Sequence, residues 1–226
     1  LICCPSNITQ VEKNAIREVA ERTGAKKVYV EEEPKVAAVG AGLEIGLPSG
    51  NMVIDIGGGT TDIAVLSLDG IVYSESIKIA GNTFDADIIK YIKSKYKLLI
   101  GEVTAEQIKI KIGTVLESDK KKSMQVRGRD LLSGLPKTIE ITSNEVREAI
   151  KDSVYMIIHA AKTVLEKIEP EISADIIDKG IILTGGGALL DGLDKLIQKE
   201  IKVPVKIADS PLTCVAEGTG IILENL

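Results

Sequence analysis

Residues 51–70, NMVIDIGGGTTDIAVLSLDG, set two aspartates and two threonines around three consecutive glycines. An apolar strand runs into Asp55, then come Gly57, Gly58, Gly59, Thr60, Thr61 and Asp62, and a second apolar strand leaves. Glycine permits left-handed backbone angles and lets the chain come close to a ligand, at a cost in entropy. Three of them between buried strands weaken a purely structural hairpin, so a ligand is the better reason for them. Successive inward N–H groups form an anion nest, and the hydroxyls of Thr60 and Thr61 add donors for phosphate oxygens. Asp55 and Asp62 flank the nest and suit a hydrated magnesium ion, which keeps waters and takes few carboxylates. The bland alternative is a glycine-rich hairpin with two solvated aspartates. Against it, Asp55 stands within the apolar run VIDIG, where an unpaired carboxylate is expensive to bury. No GxxxxGK[ST] occurs, and GxGxxG fails because Asp62 holds its sixth place counted from Gly57.

A second triple glycine follows in GIILTGGGALLDGLDKLIQKEI. A buried strand runs into Gly185, Gly186 and Gly187, then Ala188, Leu189 and an amphipathic helix. Glycines at a strand-to-helix turn aim N–H groups and the positive dipole end at a ligand. One glycine turn would hold phosphates and the other would pack against a nucleoside.

Glu31, Glu32, Glu33 and Pro34 sit where a strand becomes a small-residue helix. Proline suits the first helical position, and acids near a helix N-terminus are stabilised by its dipole, which accounts for all three glutamates without chemistry. The functional alternative is that one of them faces the phosphate clamp and orients an attacking water.

Bulk properties narrow the field. The chain has 226 residues, 44% hydrophobic, a formal net charge of −5 and an isoelectric point near 5.2. That is enough for one large core or two modest ones, and it argues against a nucleic-acid partner. The run Lys120–Lys122 reads as a solvated loop. Three cysteines (Cys3, Cys4, Cys214) without metal spacing read as buried reduced thiols. The one histidine, His159, lies in a helical pattern and reads as a half-buried helix residue, so histidine catalysis and zinc chemistry lack raw material. No signal peptide or membrane-length apolar run is seen, so a soluble, cytoplasmic protein is expected. The chain opens at LICCPSN in mid-strand without a methionine, which suggests an N-terminal truncation.

The elements alternate in a way that predicts an α/β fold. After the LICC strand, Thr9 and Glu12 cap a helix whose apolar stripe is Val11, Ala15, Ile16 and Val19. A strand at KVYV completes a βαβ pattern. Asp69-Gly70 turns the second clamp strand into a third antiparallel strand, and Asn82 or Thr83 caps the helix that follows. TAEQIKIKIG reads as a helix capped at Thr104, although it also alternates like a strand. The polar stretch to about Ile141 reads as a small inserted sheet, and Ser143 caps a long helix that stops at Pro170.

Together, DIGGGTTD, TGGGALL and EEPKVAAVGAG resemble the actin-like ATPase superfamily of actin, heat-shock chaperone ATPases and sugar kinases. Further segments, among them IGEVTAEQIKIKIG and DSPLTCVAEGTG, resemble its bacterial actin homologues, the MreB family, over the whole chain. The resemblance implies an actin-like ATPase fold, ribonuclease H-like mixed sheets with flanking helices and a small inserted α+β subdomain. Residues 1–48 would end the first domain, and 49–226 would form the second, with the small subdomain at about 100–141. It implies that Gly58, Gly59 and Thr60 lie nearest the phosphates of ATP or ADP, with Mg²⁺ held by Asp55 and Asp62 through water. Glu106 and Lys109 would be the adenosine contact, and Gly186, Gly187, Ala188 and Leu189 the adenine-side turn. Glu33 matches the position that orients water for hydrolysis, while Glu31 and Glu32 keep the structural reading. A first phosphate loop would precede LICCPSN, so the sequence alone would hold half of the grip and bind ATP poorly.

The implied function is a cytoskeletal ATPase that polymerises into filaments with copies of itself. Membrane and cell-shape or division proteins are further partners implied for the full-length protein. The alternatives on the same fold are a metabolic kinase, a chaperone ATPase, or a scaffold that binds nucleotide without hydrolysing it.

Overall fold

A computed structural model of the chain describes residues 1–6, 8–117 and 122–225. The first elements are strand β1 (Ile2–Cys4), helix α1 (Gln10–Arg22), strand β2 (Val30–Glu32) and helix α2 (Glu33–Gly40). Strands β3 (Asn51–Ile56), β4 (Thr61–Ser67) and β5 (Gly70–Ile77) follow, then helix α3 (Gly81–Tyr96), strand β6 (Leu98–Leu99) and helix α4 (Glu102–Ile112). Strands β7 (Ser123–Asp130) and β8 (Pro136–Thr142) lead into helices α5 (Ser143–Lys167) and α6 (Pro170–Lys179). Strand β9 (Ile181–Thr184), a 3₁₀ turn (Gly186–Leu189), helix α7 (Leu193–Ile201), strand β10 (Val205–Ile207) and helix α8 (Cys214–Glu224) complete it.

The main sheet has the order β10-β9-β3-β4-β5. β3, β4 and β5 are antiparallel neighbours, as the hairpin signals predict, while β9 joins β3 in parallel and β10 joins β9 in parallel. β1 and β2 form a separate parallel pair, and β6-β7-β8 a small antiparallel sheet. β3 and β4 as far as Leu66 are buried at every position and mostly apolar because they are covered on both faces. One face carries Val53, Ala64 and Leu66 against Ala37 and Ala38 of α2. The other carries Met52, Ile54, Ile56, Ile63 and Val65 in the larger core with Phe84 and Ile88 of α3 and Ile150, Val154 and Ile157 of α5.

Several helix starts differ from the sequence expectation by one to three residues. Thr9 and Glu12 do form the reciprocal capping box of α1. In α5 the cap is Thr142, whose N–H and hydroxyl both donate to Glu145 Oε2 at 2.8 Å, and Ser143 is the first helical residue. α4 is a helix, but it begins at Glu102 behind Gly101, so Thr104 lies inside it. In α3 the Thr83 hydroxyl accepts from the Ala80 N–H. The stripe of α1 departs further: Val11 is 77% exposed and Val19 62%, and no residue of this helix is buried. α1 packs chiefly against β2. Lys122 is exposed, and Lys120 and Lys121 lie outside the described residues. His159 is exposed on α5 rather than half-buried.

α2 is held in place by α8. The two helices approach so closely that a Cβ on Gly218 would collide with the Val36 carbonyl, and one on Gly40 with the Cys214 carbonyl. Those oxygens belong to rigid helical backbone and cannot swing aside. Gly220, in the same helix, meets nothing within 4 Å. Gly218→Ala is therefore expected to lower the free energy of unfolding by about 1–3 kcal/mol. Gly220→Ala should be neutral or stabilising by up to about 1 kcal/mol through helix propensity. Urea titration of both variants checks this, and equal midpoints would show that the crossing is not glycine-limited.

Candidate functional site

Asp55 is the last but one residue of β3, and the antiparallel register sets it directly opposite Asp62 of β4. Residues facing each other across such a pair point to the same side of the sheet. That side is the one covered by α2, as the contacts of Val53 and Ala64 with Ala37 and Ala38 show. Packing α2 there brings Glu33, its first residue, to the carboxylate pair. Glu33 is half-buried, and its carboxyl is pushed up by burial and then by the charges of Asp62 and Asp55.

The three neighbouring glutamates divide cleanly. Glu31 is ion-paired with Lys35 at 3.1 Å and Glu32 with Lys13 at 2.9 Å. Among the described residues Glu33 has no such partner. The dipole account given for all three is thus supplemented by a lysine for two of them and by nothing comparable for the third.

Asp55 is 7% exposed and Asp62 only 1%. Asp55 Oδ1 accepts a hydrogen bond from the Thr184 hydroxyl at 2.9 Å, and burial pushes its carboxyl up. Among the described residues, both oxygens of Asp62 are buried without a hydrogen-bond partner. An unpaired buried carboxylate is costly in a folded protein, and a bound cation is one way to offset that cost. Among the described residues no group of three or more His, Cys, Asp or Glu side chains is spaced to hold a metal ion. The donor set therefore fits a hard cation that keeps most of its water, with Asp55 and Asp62 as its anchors.

Thr61 is on the wrong side for this work. Side chains alternate along a strand, so Thr61 points away from Asp62. Its hydroxyl donates to the Ile79 carbonyl at 2.7 Å, and the residue is fully buried. The sequence counted two threonines at the clamp, but the pleat admits only Thr60, which lies in the loop.

That loop is built by its neighbours. The Gly57 N–H donates to the Thr60 carbonyl at 3.0 Å and closes the turn. The N–H groups of Gly81 and Asn82, at the start of α3, donate to the Gly57 and Gly58 carbonyls at 3.1 and 2.8 Å. Among the described residues, the N–H groups of Gly58, Gly59 and Thr60 donate to no carbonyl. None of Gly57, Gly58 and Gly59 takes a left-handed φ, contrary to one reason the sequence offered for them. A Cβ on Gly59 would meet nothing within 4 Å, and one on Gly57 or Gly58 would make only ordinary contacts. Neither strain nor internal packing calls for three glycines, which leaves close approach of something outside the chain.

The second triple glycine is different. Gly185 has φ +79°, and a Cβ there would lie 2.8 Å from Asp55 Oδ1 and collide with the Ile56 carbonyl. Gly187 would collide with the Ile56 side chain. These glycines let the turn sit flush on the end of β3. The turn is a single 3₁₀ stretch, and α7 begins only at Leu193 behind Gly192, so no helix N-terminus is aimed at the site from the triple glycine.

One cavity of about 510 Å³ joins the two turns, within the range of roughly 300–1,000 Å³ typical of small-molecule sites. Gly57, Gly58, Glu106, Lys109, Gly186, Gly187 and Leu189 all line it. Gly59 and Thr60 lie in the loop beyond its wall, Ala188 is buried in the core beneath it, and Gly185 is spent on packing. Glu106 is exposed, and Lys109 donates to Asp85 Oδ2 at 2.8 Å and to the Gly81 carbonyl at 3.0 Å. Lys109 therefore ties α4 to the start of α3, which in turn holds the glycine loop. Burial pushes the Asp85 carboxyl up, against the pull of Lys109. Asp85 was legible in principle: it stands three residues before Ile88 and seven before Ile92, an acid on an apolar stripe. Ile110 and Leu212, exposed apolar residues on the cavity wall, gave no such signal. Among the described residues no helix is long and apolar enough to cross a membrane.

A mixed five-stranded sheet with helices on both faces, and paired glycine turns at the ends of adjacent strands, defines an actin-like fold, and solved structures agree. MreB5 of Spiroplasma citri bound to ADP superposes with a TM-score of 0.96 at 46% identity, over 99% of this chain and 68% of that one. The same protein bound to AMPPNP gives an equal TM-score. A MamK double helical filament matches at 0.83 and 23% identity, a likeness of fold alone. The chain belongs to the MreB/Mbl protein family, whose pattern matches residues 1–226. The cell shape-determining protein Mbl of Bacillus subtilis is 62% identical over 226 residues, the whole of this chain and 68% of that protein. The cell shape-determining protein MreB of Escherichia coli is 49% identical and is covered over 65% of its length.

Asp62 gives a direct test of the carboxylate pair. Asp62→Asn replaces an orphaned buried carboxylate with an amide that can donate to Asp55. The ligand-free variant should unfold at a higher urea concentration than the parent, by the equivalent of about 1–3 kcal/mol. A lower midpoint would mean that the Asp62 charge is already satisfied in the free protein.

Proposed function

We propose that this chain forms much of the nucleotide cleft of a cytoskeletal ATPase, which binds Mg-ATP and assembles with copies of itself into filaments that govern cell shape. The observation that carries this reading is the single cavity between two triple-glycine turns, with a cluster of three carboxylates beside one of them. Membership of a family whose relatives are named for cell shape supports the cytoskeletal part, and the ADP and AMPPNP bound by the Spiroplasma protein support the nucleotide. The separate β1-β2 pair and the small β6-β7-β8 sheet favour two domains, 1–48 ending the first and 49–226 forming the second, with a small subdomain near 100–141.

In this reading the amides of Gly58, Gly59 and Thr60 bind phosphate oxygens, because they are the loop donors left unused. Gly186, Gly187 and Leu189 with Ile110 and Leu212 make the wall for the base. Glu106 and Lys109 face the sugar, and Lys109 also keeps the loop in place through Asp85 and Gly81. Asp55 and Asp62 would hold hydrated Mg²⁺, which when bound neutralises phosphate charge. Glu33, unpaired and raised in pKa, orients the attacking water and accepts its proton.

Two expected outcomes test this in the full-length protein that carries this chain. With Mg-ATP it should sediment as polymer and show filaments by electron microscopy, and a protein that remains monomeric would remove the cytoskeletal reading. Glu33→Ala should slow phosphate release on the order of 10²-fold with nucleotide affinity nearly unchanged. Equal release from both proteins would take Glu33 out of the mechanism, and binding without release from either would leave a non-hydrolysing scaffold.

A further inference from the structure

Thr184 is fully buried at the end of β9. The parallel register places Thr184 beside Asp55, and its Oγ1 donates to Asp55 Oδ1 at 2.9 Å. Thr184 is also the last residue before the second glycine turn, and Gly185 fits only because it has no Cβ against that same Oδ1. The Gly185 N–H is in turn fixed to the Pro211 carbonyl at 2.8 Å. Asp55 is thus gripped on one oxygen by the strand that carries the nucleoside-side turn. Its Oδ2 accepts no hydrogen bond among the described residues, and Asp62 beside it has both oxygens unpartnered.

We propose that Thr184 is a positioning residue for the cation site: its hydroxyl fixes Asp55 by Oδ1, so that Oδ2 and the Asp62 carboxylate face one hydrated divalent cation. The inference rests on the nucleotide reading of the cleft. A hydroxyl can act this way because ligating carboxylates are oriented by outer hydrogen bonds, and loss of such a bond costs about 10–100-fold in metal affinity. The arrangement also links the two turns physically. A shift of the Gly185–Leu189 turn that carried Thr184 with it would turn Asp55, so contact with the nucleoside and grip on the cation would change together.

The test uses the full-length protein, with ATP affinity measured calorimetrically at stepped Mg²⁺ concentrations and in chelator. Thr184→Val keeps the side-chain shape and removes the donor. It should raise the Mg²⁺ concentration that half-saturates the gain in ATP affinity by about 10–100-fold, while ATP affinity in chelator stays the same. Thr184→Ser should restore the parent value. If the valine variant does not fold, Thr184→Ala compared with Thr184→Ser carries the same test. An unchanged Mg²⁺ midpoint in the variant overturns the inference and shows that the hydrogen bond only satisfies a buried carboxylate. An equal loss of ATP affinity with and without Mg²⁺ overturns it as well, by showing damage to the turn. ATP affinity in the parent protein that ignores Mg²⁺ altogether overturns the nucleotide–cation reading itself, a result distinct from the other two.

Discussion

The parallel pairing of β9 with β3 sets Asp55 beside Thr184, although 129 residues separate them in sequence. Two glycine turns consequently leave the sheet at the same end, one from β3 and one from β9, and a shared cavity between them becomes possible. The pairing demands unusual packing. Gly185 must adopt a left-handed φ and Gly187 must lack a side chain, because the turn is laid against the last residues of β3. The two triplets thus contain the same residues for opposite reasons. In the second, glycine makes room for the protein itself, and in the first it leaves room for something else.

Around that constraint the site is assembled from elements on different faces of the sheet. α2 lies on the face where the aspartates emerge and delivers Glu33, and its own position is set by the close crossing with α8 at Gly40 and Gly218. α3 and α4 act from the loop side. The first N–H groups of α3 hold the carbonyls of Gly57 and Gly58, and Lys109 of α4 holds α3 through Asp85 and Gly81. The loop amides that remain, those of Gly58, Gly59 and Thr60, donate to no carbonyl among the described residues.

The site carries charge that its folded surroundings do not balance. Among the described residues Asp62 is buried with no hydrogen-bond partner, and Asp55 and Glu33 have carboxyls held above their ordinary range by burial and then by the charge of Asp62. Several other acids are matched: Glu31 and Glu32 have lysines, and Glu145 is drawn down to about 2 by hydrogen bonds from Lys95, Tyr96 and Thr142 that outweigh its burial. Uncompensated buried charge at one end of the sheet is a local departure from stability of the kind expected where a ligand completes the structure.

By itself the sequence determined the strands of the clamp, the α/β class, the helices α3 and α5 and the family, because apolar periodicity and glycine spacing are local and survive in one dimension. It also set Asp55 and Asp62 on either side of a short turn, and the hairpin register then faces them across the strand pair. What it could not decide was direction. Thr61 stands beside Asp62 in sequence but the pleat of β4 sends it to the other face, and Glu33 differs from its neighbours only through Lys13 and Lys35, which pair with Glu32 and Glu31. Asp85, Thr184, Ile110 and Leu212 entered the site only through folding, because each is brought there by a helix or strand pairing distant in sequence. Sequence fixes which side chains are available, and tertiary packing decides which of them share a face, a partner or a cavity.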